Sequence, residues 1–101
     1  MNELLEWLRA QNGGVRTYYE FQSKALALRD QDPENAGLMR LLADLAARFA
    51  DAHDGQPLSV PVANEALARL MFYVEKAART KDGSLAERLA LLNEIGRAEL
   101  R

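Results

Sequence analysis

Apolar residues recur along most of the chain at spacings of three and four, which is the period of an α-helix. The segment after Pro33 shows it best, with charged residues opposite one apolar side: Leu38, Leu41, Leu42, Leu45, Ala46 and Phe49. Glycine, proline and polar clusters interrupt the pattern at 13–14, 30–33, 53–61 and 81–83. We therefore predict helices over residues 2–12, 16–30, 33–53, 60–80 and 84–100.

Helix-start signals agree with these boundaries. Asp32 before Pro33 is typical of an N-cap followed by a first helical residue, and Ser59 is a plausible cap for the next helix. Ser84 and Glu87 have the spacing of a capping box. Short connections favour antiparallel neighbours. The sequence predicts an all-α fold, a compact antiparallel helical bundle of four main helices plus a short N-terminal helix, in one domain over 1–101.

The fourth predicted helix contains five consecutive large apolar residues, Leu70 to Val74. One helix face cannot hold all five, and the helical period assigns four of them to the core. Phe72 falls on the polar side, with Arg69 and Lys76 as neighbours. Two interpretations stay open. Phe72 is covered by the first helix or by the 53–61 connection, or it is exposed and anchors a partner, as aromatic residues at interfaces often do.

Two other helices carry apolar residues outside their predicted core faces. Tyr19 and Leu26 align on a flank of the second helix, and Leu91 and Ala98 do so on the fifth. The core face of the fifth helix is predicted to consist of Leu85, Leu89, Leu92 and Ile95. This surplus indicates either an additional covering helix or self-association, and we favour a homodimer.

Composition narrows the possible partners. The chain has 101 residues, a net charge of −2 and no cysteine, which excludes disulfides and thiolate metal sites. Its 13 basic residues are scattered among 15 acidic ones, so nucleic acid is disfavoured as a partner.

No apolar run is long enough to span a membrane. The acidic N-terminal segment lacks the features of a signal peptide, and we expect a cytoplasmic protein. Richness in Ala, Leu and Arg suggests a bacterial origin.

Candidate chemistry is sparse. His53, the single histidine, lies near the end of the third predicted helix, where it is expected to contact terminal carbonyls. A zinc site needs further His or Cys ligands, so we predict no metal and no cofactor. The segment from Asp82 to Leu85 resembles the Asp-Ser-Leu attachment site of acyl carrier proteins, with a glycine inserted. That resemblance implies a group carried on Ser84, whereas the capping box explains the same serine structurally.

The sequence therefore favours a small non-enzymatic protein–protein interaction module, such as a regulator, inhibitor, adaptor or assembly factor. Its candidate partner-binding residues are Phe72, Arg69, Lys76, Tyr19 and Leu26. One alternative is a nucleic-acid-binding regulator of helix-turn-helix type, with phosphate contacts from Arg16, Lys24 and Arg29. A second alternative is an enzyme or carrier that uses His53 or Ser84.

Overall fold

Five α-helices make up most of residues 1–100, the part of the chain that the computed structural model describes. They are α1 (Asn2–Arg9), α2 (Val15–Gln31), α3 (Ala36–His53), α4 (Val60–Thr80) and α5 (Leu85–Arg97), with a 3-10 turn, Pro33–Asn35, ahead of α3. No strand occurs in this part of the chain. The predicted all-α helical bundle is confirmed.

Helices α2 and α3 form the most closely packed pair in the bundle. Their backbones lie close together over a much longer stretch than those of any other pair of helices. Small side chains permit such an approach, and Ala25 of α2 and Ala43, Ala46 and Ala50 of α3 are completely buried. The Tyr19 hydroxyl donates a hydrogen bond of 2.8 Å to the Asp51 carboxylate, which ties the start of α2 to the end of α3. The two helices therefore run antiparallel.

Helix α4 runs antiparallel to both α1 and α5. On one side, Arg9 of α1 reaches Glu75 of α4 at 3.7 Å. The loop after α1 approaches α4 more closely still, because a Cβ added at Gly13 would stand 3.4 Å from the Ala63 carbonyl oxygen. Gly13 also has a φ of 82°, a conformation that glycine adopts without strain. On the other side, Lys76 pairs with Glu94 of α5.

One hydrophobic cluster joins all five helices. Its completely buried large side chains include Leu8, Tyr18, Phe21, Leu42 and Leu70. The cluster also takes in Leu100, which is 2% exposed although it lies beyond the end of α5. Arg48 and Arg69 donate hydrogen bonds to the backbone carbonyls of Ala98 and Glu99, at 3.2 and 3.4 Å. The last described residues are thus held between α3 and α4.

Helix boundaries differ from the sequence-based prediction at three places. Helix α1 ends at Arg9 rather than at residue 12, and the Gln11 side chain donates to the Trp7 carbonyl just beyond it. Helix α3 begins at Ala36, because Pro33–Asn35 adopt the tighter turn and Asp32 accepts from the Asn35 side chain instead of capping α3. Helix α5 ends at Arg97, where the backbone becomes extended. The caps predicted at Ser59 and Ser84 are confirmed.

The predicted core face of α5 is wrong in its rotation. Leu85 and Leu89 are 81% and 59% exposed, whereas Leu91, predicted to lie on a flank, is 3% exposed and belongs to the core with Ile95. Polar contacts on both sides of Leu91 fix this rotation. Arg88 donates to the Glu34 carbonyl in the 3-10 turn ahead of α3, and Glu94 pairs with Lys76 of α4. Val62, in the first turn of α4, is also 36% exposed.

Candidate functional site

The Phe72 side chain projects from α4 between the flank that α1 covers and the flank that α5 covers. Glu75 marks the α1 side through its ion pair with Arg9, and Lys76 marks the α5 side through Glu94. Half of Phe72 is exposed, so residues 1–100 cover it only in part. Its ring meets Tyr73 edge-on, with centroids 5.3 Å apart. The Lys76 ammonium stands 5.6 Å from the centroid of the Phe72 ring.

Charged side chains surround this ring in defined geometry. Arg69 contacts Glu65 at 2.9 Å one turn away, and Lys76 contacts Glu94 on α5 at 2.6 Å. All four side chains remain partly exposed, so each pair contributes little to folding. Their effect here is positional, since each pair holds a charged group beside the ring. Arg69, Phe72 and Lys76 thus share one side of α4, and we call these three residues the Phe72 surface.

Tyr19 and Leu26, the other candidate residues, lie elsewhere. Both are partly buried and pack against the core from α2. Within residues 1–100, no Cα atom of α2 comes within 8 Å of a Cα atom of α4. The Tyr19 hydroxyl is bound to Asp51, and this hydrogen bond, together with burial and the Asp51 charge, raises the pKa of Tyr19 to about 12. The structure therefore does not bring Tyr19 and Leu26 together with Phe72.

The outward side of α5 is apolar, which the sequence-based prediction missed. Leu85, Ala86, Leu89 and Ala90 are all exposed there, and Gly96 continues the same side toward the C-terminus. Asn93 is the one polar residue among them. The sequence did indicate two apolar sides of α5, one with Leu85 and Leu89 and the other with Leu91 and Ala98. The prediction buried the side with Leu85 and Leu89, whereas the structure buries Leu91. We call Leu85, Ala86, Leu89, Ala90, Asn93 and Gly96 the α5 outer face.

His53 and Ser84, the candidate residues for catalysis or for carrying a group, both form hydrogen bonds at the ends of helices. The His53 Nδ1 is 3.0 Å from the Phe49 carbonyl oxygen, and the two rings stack with centroids 4.4 Å apart. His53 borders a surface cavity of about 230 Å³ that Arg48 and Leu100 also line. The Ser84 hydroxyl accepts from the Glu87 backbone N–H and donates to the Glu87 carboxylate. In the described part of the chain, no three His, Cys, Asp or Glu residues cluster so that they could hold a metal ion.

The three basic residues considered for phosphate contacts have partners within the chain. Arg16 pairs with Glu20 and Arg29 with Asp30, both at 3.0 Å. Lys24 stands 5.1 Å from the centroid of the Trp7 ring. At the start of α4, the side chains presented to solvent are apolar rather than hydrogen-bonding, since Val60 is 71% exposed.

Residues 1–100 include no helix with both the length and the apolar character needed to cross a bilayer. Comparison of the chain with protein-family models, with curated proteins and with solved structures finds no match. The function is therefore inferred from the Phe72 surface and the α5 outer face.

Proposed function

We propose that this protein is a small non-enzymatic interaction module that binds a protein partner through the Phe72 surface. The observation that carries the proposal is a half-exposed phenylalanine held between two charged side chains, each already oriented by an ion pair. Aromatic anchors with a polar surround are typical of the residues that dominate binding energy at protein interfaces.

The geometry reduces the entropy lost on binding. The Phe72 ring is restricted by its edge contact with Tyr73 and by Lys76 above it, so little side-chain freedom remains to be lost. A partner that covers the ring would bury the exposed half of the side chain and exclude water from the pairs that Arg69 and Lys76 form. Such a partner needs an apolar pocket bordered by groups that can hydrogen bond to Arg and Lys. Tyr19 and Leu26 take no part, because they lie on another side of the molecule.

The test is the substitution Phe72→Asp, with Val60→Asp as the matched control. Both change an exposed apolar residue of α4 to aspartate, but Val60 lies three turns away in the first turn of the helix. We expect either variant to lower the free energy of unfolding by no more than about 1 kcal/mol, because half or more of each side chain is already in water.

Partner capture supplies the functional readout. A photo-crosslinking phenylalanine analogue at position 72 should label a defined protein in cells that produce this chain, and the same analogue at position 60 should not. In a binding assay with that protein in purified form, the Phe72→Asp variant should lose binding while the Val60→Asp variant retains it. A fall of more than 3 kcal/mol in the stability of Phe72→Asp would identify Phe72 as a core residue. That result, or equal labelling from both positions, would contradict the proposal.

A further inference from the structure

The α5 helix presents more apolar surface to solvent than its position in the bundle requires. Its buried side is narrow and consists mainly of Leu91 and Ile95. The α5 outer face lies on the opposite side. It includes Leu85, the most exposed large apolar residue among residues 1–100, and Leu89, which is more than half exposed. The remaining members of that face are small, apart from Asn93. Small residues allow a second helix to approach closely.

Opposite charges stand at the two ends of this face. Asp82 lies in the turn before α5, and Arg97 is its last residue. Both side chains are exposed, and neither forms an ion pair or a hydrogen bond with any of residues 1–100. By contrast, Lys76, Glu87, Arg88 and Glu94 nearby all have partners. Asp82 and Arg97, at opposite ends of the apolar stripe, are therefore both available.

We propose that the α5 outer face binds the same face of a second copy of this chain in an antiparallel, two-fold arrangement. When the two-fold axis passes between Leu89 and Ala90, the residue numbers of facing positions on the two copies add up to 179. Ala86 then meets Asn93 of the second copy, and Arg97 of the second copy comes to the start of the helix, beside the turn that holds Asp82. Two-fold symmetry repeats each contact, so both unpaired charges of both copies find opposite partners.

Charge selects this orientation over the parallel one. In a parallel pair, Asp82 would face Asp82 and Arg97 would face Arg97, which is unfavourable at both ends. Antiparallel helices also bring opposite dipole ends together. A shift of register by one residue still leaves Arg97 within reach of Asp82, because the arginine side chain is long. The charge pattern is thus self-complementary in one orientation and self-repelling in the other.

The size of the face indicates how strong this dimer is. Helix α5 has 13 residues and is therefore about 20 Å long. A strip of that length buries less than the roughly 800 Å² per partner of a standard stable interface. We expect a reversible dimer that dissociates on dilution. The interaction uses residues other than the Phe72 surface, and it does not depend on the function proposed above.

A charge-exchange experiment tests the arrangement directly. The variants Asp82→Arg and Arg97→Asp each place like charges opposite one another in their own homodimers. Mixed together, they place opposite charges at both ends of a heterodimer. Sedimentation equilibrium at low ionic strength should show that each variant alone dimerises roughly tenfold or more weakly than the wild type. The equimolar mixture, and the double variant Asp82→Arg/Arg97→Asp, should recover wild-type association to within about threefold.

Recovery in the mixture cannot come from a change in folding, because the mixture contains only the two weakened chains. Leu89→Asp should abolish dimerisation while leaving the circular dichroism spectrum unchanged, and Val60→Asp should have no effect. A wild-type chain that stays monomeric at millimolar concentration would overturn the proposal. So would a dimer that Leu89→Asp leaves intact and Phe72→Asp disrupts. Either outcome leaves the binding of a different protein at the Phe72 surface to be judged by its own crosslinking test.

Discussion

The rotation of α5 can be tested by comparing two leucines that lie two positions apart. Leu91 is 3% exposed and Leu89 is 59% exposed, so the two point to opposite sides of the same helix. Truncating a buried leucine to alanine removes its transfer free energy and leaves a cavity. We expect Leu91→Ala to lower the free energy of unfolding by about 3 kcal/mol. For a domain of this length, that corresponds to a fall in Tm of roughly 12–20 °C.

Leu89→Ala should behave differently. Less than half of that side chain is buried, so the lost burial amounts to under about 1 kcal/mol. The higher helix propensity of alanine returns about 0.2 kcal/mol of this. Urea unfolding followed by circular dichroism measures both variants, at a protein concentration low enough to keep the chain monomeric. Equal effects, or a larger effect for Leu89→Ala, would show that α5 buries the face containing Leu85 and Leu89. The exposed face used above would then not exist.

Further predictions concern three single positions, one in the core, one in a loop and one on the exposed side of α3. Tyr18→Phe should raise the free energy of unfolding by about 1 kcal/mol in denaturant titration, because the buried Tyr18 hydroxyl has no hydrogen-bond partner within residues 1–100. Burial also raises the pKa of Tyr18 to about 12. The free energy of unfolding of the wild type should therefore fall as pH rises from 10 to 12, and that of Tyr18→Phe should fall less. A marked loss of stability in Tyr18→Phe at neutral pH would contradict this reasoning. Gly13→Ala should lower stability by about 1–2 kcal/mol, because its φ is 82° and the Ala63 carbonyl is close. Gly37→Ala, in open space within α3, should raise Tm slightly, and a similar sign for both glycine variants would refute the argument.

Local sequence signals predicted the helices well, because those signals act through the backbone of the same segment. The Ser84–Glu87 capping box forms as its spacing predicted, and α4 begins and ends where the pattern placed it. Helix α1 is shorter than predicted for a reason that the periodic pattern does not contain. The chain from Ala10 to Gly14 must bend back over α4, and Gly13 packs beside Leu67 to allow this.

The rotation of α5 could not be predicted in the same way. Apolar residues on both sides of the helix give two possible buried faces, and the hydrophobic pattern favours the wrong one. Tertiary contacts decide between them, because Arg88 reaches the 3-10 turn ahead of α3 while Glu94 reaches α4. The exposure of Phe72 was an open question for a related reason. The helical period places Phe72 opposite the core of α4, but how far it is exposed depends on where α1 and α5 dock on either side of it.

The alanine-rich contact between α2 and α3 changes what mutation can do there. Ala25, Ala43, Ala46 and Ala50 have almost no side-chain volume to lose, so truncation to alanine tells nothing about this interface. Enlargement is the damaging change, because each added methylene must push apart two helices whose separation these residues set. The packing of α2 against α3 is therefore sensitive to an increase in side-chain volume at these positions and less sensitive to a change in their hydrophobicity. We expect these positions to accept only the smallest residues, while the neighbouring leucines can exchange with residues of similar volume.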